Sequence, residues 1–257
     1  MRVLAIADPH LSGAQAKPMD VFGPSWAGHP QAFFDGWRRV VRDDDLVLVA
    51  GDISWAMRLD EARVDLEAIA SLPGSKVLLR GNHDYWWPSL AKLRGALPPR
   101  MHVVQNDAVR IGDVVVGGTR GWICPGSPGF DDHDQKVYER EVQRLTLSLA
   151  AMAAIGGSYR VVMLHFPPTN ARGEPSGFTE ALRQARPDAL VFGHVHGDAA
   201  VAVPELPGTA VAFVAADRVG FEPVLLSADA SAGADASAGA DASAGADASA
   251  GAEGSPW

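Results

Sequence analysis

The sequence has few of the features that mark secreted, membrane-spanning or nucleic-acid-binding proteins. It contains one cysteine, Cys124, which excludes an internal disulfide framework and a multi-cysteine zinc site. No apolar run is long enough to span a bilayer. The first apolar run, Val3–Ala7, stops at Asp8 and is too short for the core of a secretory signal peptide. From these absences we expect a cytoplasmic protein with no membrane partner.

Runs of positive charge are also absent. The net charge is −9 at pH 7, and five of the acidic side chains lie after Leu226, where no basic residue occurs. The preceding part of the chain is therefore only mildly acidic, and we expect no general nucleic-acid binding. A small phosphorylated substrate is still compatible with this charge, because a local metal site can attract phosphate. The charge leaves the oligomeric state undetermined.

The composition changes sharply near the end of the chain. The hexapeptide Ala-Asp-Ala-Ser-Ala-Gly occurs four times between Ala228 and Gly251. This region has no aliphatic side chain larger than alanine to bury, so it cannot offset the entropy lost on ordering. We predict one folded domain over residues 1–226 and a disordered acidic tail over residues 227–257. Removing the tail should leave folding and turnover intact.

Short apolar runs alternate with longer amphipathic segments along the predicted domain. The predicted strands are Val3–Ala7, Leu46–Ala50, Lys76–Leu79, Asp113–Val116, Arg160–Leu164, Ala189–Phe192 and Ala210–Ala215. Their lack of polar alternation is typical of strands buried on both faces. The spacing of apolar residues predicts helices over Gln31–Arg42, Asp60–Leu72 and Asp132–Ile155. This alternation predicts a layered α/β sandwich, with added antiparallel strands in the last third.

Aspartate, asparagine or histidine closely follows five of the predicted strands. In chain order these residues are Asp8 and His10, then Asp52, then Asn82 and His83, then His165, and finally His194 and His196. Because the carboxyl ends of parallel strands form one edge of a sheet, we expect these side chains to converge. The other three histidines, His29, His102 and His133, lie in polar or loop-like segments and are expected to be ordinary surface residues.

The chemistry of this set favours two metal ions over one. Two aspartates, one asparagine and four histidines are too many ligands for a single tetrahedral zinc and suit two divalent ions that share a carboxylate. Such a pair lowers the pKa of a bridging water and binds phosphate oxygens. Glycines beside the ligands, Gly51, Gly81 and Gly193, allow close approach of the backbone.

The ordered motifs D-x-H, G-D, G-N-H-D, a lone histidine and G-H-x-H resemble the pattern of calcineurin-like metallophosphoesterases. Every element is present between Asp8 and His196. The resemblance implies a four-layer α/β/β/α sandwich with mixed sheets and a dinuclear centre. It implies that one ion is held by Asp8, His10, Asp52 and His196, and the other by Asp52, Asn82, His165 and His194, with Asp52 bridging. Manganese, iron, zinc and cobalt all suit these ligands.

The resemblance also implies a mechanism, in which a metal-bridging hydroxide attacks a phosphate mono- or diester. His83 would be the general acid for the leaving oxygen and not a ligand. Asp84 is expected either to orient His83 or to cap the following helix. The second motif, Gly51–Ala56, lacks the extra aspartate and arginine of protein serine/threonine phosphatases, so the chain is more similar to small bacterial-type phosphoesterases.

Two alternatives remain open at this level. The same fold could serve as a non-catalytic, metal-binding interaction protein, although the complete ligand set and His83 favour catalysis. Within catalysis, phosphatase and phosphodiesterase activities are equally compatible with the sequence. Arg120 and Arg172 are candidate phosphate contacts. The tryptophans after strand ends, Trp55, Trp86, Trp87 and Trp122, either stack on a ring of the substrate or pack loops onto the sheet, and packing is favoured.

Overall fold

The computed structural model describes residues 1–230, which form two five-stranded sheets and five α-helices. The predicted tail beyond Ala230 lies outside the described residues. Within the described part, no helix is both long and apolar enough to cross a membrane.

The first sheet has the strand order β10-β1-β2-β3-β4. Its strands are β1 (Val3–Ile6), β2 (Leu46–Ala50), β3 (Ser75–Leu79), β4 (Met101–Val104) and β10 (Val224–Ser227). Strands β1 to β4 are parallel, and β10 pairs antiparallel with β1. The parallel strands are connected by α1 (Gln31–Val40), α2 (Leu59–Ala70) and α3 (Leu90–Arg94). The β-α-β connections bring the carboxyl ends of β1, β2 and β3 to one edge of the sheet.

The second sheet has the order β5-β6-β7-β8-β9. Its strands are β5 (Ala108–Ile111), β6 (Val114–Thr119), β7 (Tyr159–Leu164), β8 (Ala189–Phe192) and β9 (Ala210–Phe213). Strands β6 to β9 are parallel, and β5 is antiparallel to β6. The connecting helices are α4 (Asp132–Ile155) and α5 (Gly177–Ala185).

Alternating side chains of each strand face different layers, as the geometry of a strand requires. In β1, Leu4 and Ile6 pack against Phe33 of α1, whereas Val3 and Ala5 face the second sheet. The second sheet repeats this arrangement, with one face in the core between the sheets and the other under α4 and α5. The predicted four-layer α/β/β/α sandwich with mixed sheets is therefore confirmed.

The two sheets meet at the end of β1. The backbone N–H of Ala7 donates to Val214 O (2.8 Å), and Ala7 forms an isolated parallel bridge with Ala215. This contact brings the chain after β1 to the chain after β9, so the carboxyl ends of the parallel strands in both sheets lie at one edge.

Some elements differ from the sequence prediction. Strands β4, β5 and β10 and helices α3 and α5 were not predicted. Most of these elements are only four or five residues long, so they show little periodicity. The expected antiparallel addition in the last third holds for β10, whereas β9 is parallel to β8. Packing also continues past the predicted domain limit at Leu226, because Ser227 belongs to β10 and Ala230 is 2% exposed.

Candidate metal centre

The loops that carry the candidate ligands have unusual backbone conformations. Asp8 (φ 59°), His10 (φ 45°), Asp52 (φ 50°) and His194 (φ 77°) all lie in the left-handed region. This conformation costs a residue other than glycine roughly 1–2 kcal/mol, and such residues cluster at functional sites. The loops after β1 and β2 hold each other in place, since His10 N donates to Asp52 O at 2.9 Å. The orientation of these side chains therefore comes at a cost in folding stability.

Three glycines make the close packing of these loops possible. A Cβ at Gly81 would lie 2.1 Å from Asp52 Oδ1, and one at Gly193 would lie 2.3 Å from Asp8 Oδ2. A Cβ at Gly51 would lie 2.6 Å from His165 Nδ1. Each distance is far below van der Waals contact. Glycine is thus required by sterics at these three positions.

The first group of candidate ligands is formed by Asp8, His10 and His196, whose ligand atoms all lie within 4.8 Å of one another. The Nε2 atoms of His10 and His196 are 3.4 Å apart, and His196 Nε2 is 4.0 Å from Asp8 Oδ1. Asp8 Oδ2 accepts the N–H of His194, whereas Asp8 Oδ1 is buried and has no hydrogen-bond partner among the described residues. A buried carboxylate oxygen without a partner, beside two imidazole nitrogens, is what a divalent cation would satisfy.

The second group consists of Asp52, His165 and His194, again with ligand atoms within 4.8 Å. Asp52 Oδ2 lies 3.4 Å from His165 Nε2 and 3.6 Å from His10 Nε2, so this carboxylate stands between the two groups. Asn82 Oδ1 joins the second group at 2.7 Å from His165 Nε2. The structure thus brings all seven predicted ligand residues together, with Asp52 between the two groups.

Hydrogen bonds fix the orientation of two of the imidazoles. His165 Nδ1 lies 3.0 Å from Ala50 O, and because a carbonyl oxygen only accepts, Nδ1 carries the proton there. His196 Nδ1 likewise faces Asp217 Oδ1 at 2.8 Å. Both contacts direct Nε2 toward the centre, an arrangement typical of histidine ligands.

The buried charges strongly shift the titration of these groups. Burial raises the pKa of Asp8 to about 7. Burial alone would lower the pKa of His165, but the carboxylates of Asp52 and Asp8 outweigh it and raise the pKa to about 9. Burial and the charge of His165 lower the pKa of His194 to about 3. Divalent ions would compete with protons for these donor atoms.

His83 belongs to neither group. Its Nε2 is 4.0 Å from Asp52 Oδ2, and its side chain is 34% exposed toward the cavity described below. The backbone N–H of His83 donates to Asp52 Oδ1 at 2.8 Å, and its ring lies 4.5 Å from that of Trp55. Burial lowers the pKa of His83, and the nearby charge of Asp52 partly opposes this shift. His83 is therefore placed beside the ligands, with part of its side chain exposed in the cavity.

Asp84 has a role that differs from both sequence expectations. Its carboxylate neither contacts the His83 ring nor caps a helix. It accepts four N–H groups, those of Ile53, Ser54 and Gly81 in the backbone and Nε1 of Trp86. Asp84 therefore ties the loop after β2 to the loop after β3, which carry Asp52 and Asn82.

An open cavity of about 610 Å³ lies above the candidate ligands. Its rim includes three apolar side chains that are largely exposed, Phe22 (59%), Met57 (63%) and Tyr85 (55%). The Lys17 amine also lines the cavity and lies 3.1 Å from the centre of the Trp55 ring. The cavity therefore combines metal-ligand chemistry at its base with an apolar rim and one cationic side chain.

The predicted substrate contacts lie elsewhere. Arg172 is 63% exposed and pairs with Glu174, and Arg120 lines a separate, smaller cavity. Of the four tryptophans that follow strand ends, Trp55 lines the cavity above the candidate ligands, which we call the main cavity. Trp86 and Trp87 are core residues, and Trp122 packs on Phe166. Arg172 lies seven residues after His165 in the sequence, but distance along the chain does not determine where a loop side chain points.

The three remaining histidines only partly match the expectation of surface residues. His133 is exposed, but His102 is half-buried in β4. His29 is also half-buried, with Nε2 2.7 Å from Pro9 O and its ring against Trp26. His29 therefore supports the loop between Asp8 and His10, a role that its loop-like sequence context did not indicate.

Asp217 is the functional residue that the sequence analysis missed. Besides facing His196 Nδ1, it accepts the N–H of Gly197 (2.8 Å) and the hydroxyl of Ser25 (3.3 Å). A usable signal was present, because Asp217 closely follows the apolar run of β9 just as the ligands follow theirs. Lys17 and Tyr85 lie in irregular loops and carried no comparable signal.

Comparison with known proteins agrees with this geometry. The calcineurin-like phosphoesterase family matches residues 1–198. The chain therefore belongs to this family, whose members are metal-dependent phosphoesterases. No curated protein matches the sequence significantly.

Solved structures show the same fold at low sequence identity. A protein of unknown function from Aquifex aeolicus, AQ665, is 14% identical, with a TM-score of 0.50, and the match covers 87% of this chain and 95% of that one. The protein TT1561 from Thermus thermophilus is 13% identical, with a TM-score of 0.52 and coverage of 82% of this chain and 87% of that one. At these identities the likeness supports the fold alone.

Proposed function

We propose that this protein hydrolyses a phosphate mono- or diester at a dinuclear metal centre. The observation that carries the proposal is the pair of convergent ligand groups at the base of an open cavity, with Asp52 between them. One ion would be held by Asp8, His10, Asp52 and His196, and the other by Asp52, Asn82, His165 and His194.

The residues present fit this assignment. The buried Asp8 Oδ1 has no other partner among the described residues, and hydrogen bonds to Ala50 O and Asp217 direct two imidazole Nε2 atoms inward. The mixture of nitrogen and oxygen donors suits Mn, Fe, Zn or Co. When bound, such ions would lower the pKa of a water molecule and neutralise charge on the phosphoryl oxygens.

His83 is the proposed proton donor to the leaving oxygen. Its backbone N–H is fixed on Asp52, while its ring stands outside both ligand groups and faces the cavity. An ester bound at the base of the cavity would place its leaving group on this open side. A positioned histidine of this kind typically contributes about 10²–10⁴-fold to the rate.

The rim supports a more specific substrate class. Exposed Phe22, Met57 and Tyr85 offer an apolar surface that no described part of the protein covers, and such patches mark binding sites. The Lys17 amine adds one positive charge. We propose a small phosphoester whose leaving or retained group is aromatic or aliphatic, bound with its phosphate toward the ligands and its apolar part against the rim.

Hydrolysis assays with two generic esters test the proposal. Purified protein with Mn²⁺ should cleave p-nitrophenyl phosphate or bis-p-nitrophenyl phosphate, and a chelator should abolish the reaction. The preferred ester would distinguish phosphatase from phosphodiesterase activity. In His83→Ala, turnover should fall by about 10²-fold or more with metal content unchanged. His133→Ala, at an exposed position on α4, is the control and should match the wild type.

Two outcomes would contradict the proposal. Protein that binds two metal ions but cleaves neither ester, nor any of a panel of nucleotide phosphoesters, would favour a metal-binding interaction protein. Loss of bound metal in His83→Ala would make His83 a ligand and refute its role as the proton donor.

A further inference from the structure

A second cavity, of about 180 Å³, lies at the same edge of the fold but shares no lining residue with the main cavity. Its lining includes three arginines, Arg80, Arg120 and Arg144, and we call this cavity the arginine pocket. Arg80 directly follows β3 of the first sheet, and Arg120 directly follows β6 of the second. Arg144 comes from α4. The fold therefore brings three positive charges together from three different elements.

Within the lining of the pocket, positive charges outnumber negative ones. Glu141 is the carboxylate in its lining, and it already accepts from Thr119 Oγ1 (2.5 Å), Gly121 N (3.3 Å) and Arg144 Nη1 (2.5 Å). Arg120 Nη2 is 3.8 Å from Glu141, too far for a direct hydrogen bond. One carboxylate thus faces three guanidinium groups, a net excess of two positive charges.

Arg80 and Arg120 each have one buried donor without an acceptor among the described residues. The Nε atoms of Arg80 and Arg120 are both buried and lack a hydrogen-bond partner among residues 1–230. Leaving a buried donor unsatisfied costs about 1–3 kcal/mol, and more for a charged group. Because these Nε atoms are buried, a ligand in the cavity would bind the remaining guanidinium N–H groups of Arg80 and Arg120, two arginines that come from opposite sheets.

A neutral side chain adds a donor of the same kind. Gln105 Oε1 accepts Trp87 Nε1 at 2.8 Å, and because this oxygen is engaged, the NH₂ group of Gln105 is left to donate in the lining of the pocket. Asn106 also lines the pocket and lies 2.9 Å from Thr119 Oγ1, whose single proton is given to Glu141. The lining is thus rich in donors, and its one strong acceptor is already used.

We propose that the arginine pocket binds a single tetrahedral oxyanion, such as phosphate, sulfate or the phosphoryl group of a larger ligand. Guanidinium groups form paired hydrogen bonds with such oxygens. A water occupies about 30 Å³ of liquid, so the volume suits one oxyanion with a few waters and not a whole nucleotide. This site is separate from the proposed metal centre, and its existence does not depend on the proposed function.

Calorimetric titration of the full-length, metal-loaded protein with sulfate tests the proposal. Sulfate is used because it has no ester bond to be cleaved. None of the variants alters a candidate metal ligand, so a difference in sulfate binding between them reports binding in the arginine pocket. Arg80→Gln and Arg120→Gln should each weaken the pocket's binding by about 10–100-fold, the loss expected for a charged hydrogen-bond partner. Arg120→Lys, which keeps the charge, should weaken it less. Arg140→Gln, at an exposed position on the helix that carries Arg144, should bind as the wild type does.

Thermal melting separates anion binding from a purely structural role of the arginines. Sulfate should raise the melting temperature of the wild type more than sodium chloride of equal ionic strength does, and the rise should be absent in Arg80→Gln. In buffer without oxyanion, Arg80→Gln should melt no lower than the wild type, because it removes one of three repelling charges. Equal sulfate binding by the wild type and both glutamine variants would overturn the proposal, and so would the absence of any saturable binding.

The source of the oxyanion is settled by competition. Displacement of sulfate from the pocket by adenosine 5′-monophosphate would indicate that the site accepts a phosphoryl group attached to a larger molecule. Displacement by inorganic phosphate alone would restrict it to a free oxyanion. In each case the signal assigned to the pocket is the part that Arg80→Gln loses. A negative result in these experiments would refute the anion site but not the proposal of ester hydrolysis. The two proposals are therefore tested independently.

Discussion

The substitution Gly81→Ala tests whether the packing of the candidate centre requires a residue without a side chain at position 81. The added Cβ would lie 2.1 Å from Asp52 Oδ1 and 2.2 Å from Asp52 N. Because one of these atoms is backbone, rotation of the Asp52 side chain cannot relieve both contacts. The loop after β2 must therefore move away from the loop after β3.

The size of the movement follows from the distances. Ordinary van der Waals contact begins at 3.4 Å, so Asp52 must retreat by about 1.3 Å. Overpacking of this kind typically costs about 1–3 kcal/mol. A misplacement of about 1 Å in a catalytic site can cost about 100-fold in rate. Asp52 stands between the two ligand groups, so both should be affected.

We therefore expect Gly81→Ala to fold, to melt several degrees lower and to lose about 100-fold or more in kcat on bis-p-nitrophenyl phosphate. Metal content, measured by mass spectrometry of the digested protein, should fall below that of the wild type. The control is Gly95→Ala, where the nearest atom to the new Cβ is 3.6 Å away. Wild-type turnover and metal content in Gly81→Ala would refute the steric argument.

Three further predictions follow from other contacts. Asp217→Asn removes the charge that orients His196, and should weaken metal affinity about 10–100-fold in a competition with a chromogenic chelator; unchanged affinity would exclude a positioning role. Asp84→Ala leaves four N–H groups without their acceptor, and because each buried unsatisfied donor costs about 1–3 kcal/mol, urea denaturation should show a loss of several kcal/mol; a loss below about 1 kcal/mol would contradict this view. Burial lowers the pKa of Lys76 to about 8, whereas an unfolded lysine titrates near 10.4. Between these values the unfolded chain binds the proton and the folded chain does not, so wild-type stability should gain from this lysine as the pH rises from 8 to 10. Lys76→Met should lack that gain, and equal urea midpoint changes in both proteins would refute the assignment.

The central features of the fold were predictable because they depend on local pattern. Continuous apolar runs such as Leu46–Ala50 indicated strands buried on both faces, and the structure places β2 in the middle of a sheet. The rule that parallel strands end at one edge then predicted that Asp52, Asn82 and His165 would meet. Each of the three lies within three residues of the end of its strand, so little loop conformation was needed to place it. His165 lies on the second sheet, and its approach to the other two follows from the sandwich of two sheets that the family resemblance implied.

Features that depend on loop conformation could not be predicted in the same way. Asp84 was expected either to orient His83 or to cap the following helix, but its carboxylate instead accepts backbone N–H groups from two loops. Arg120 follows a strand of the second sheet, and its partner Arg80 follows a strand of the first. Their meeting depends on how the sheets face each other, which local periodicity does not encode.

Each of the two ligand groups draws its atoms from both sheets. Asp8 and His10 follow β1, and His196 follows β8; Asp52 follows β2 and joins His165, which follows β7. A cation bound by either group would therefore act as a cross-link between the two halves of the sandwich. Its binding free energy would add to the docking of one sheet on the other, so that metal affinity and inter-sheet packing are thermodynamically linked. A cavity introduced deep between the sheets should then weaken metal binding at a distance, and bound metal should in turn compensate for part of the stability lost.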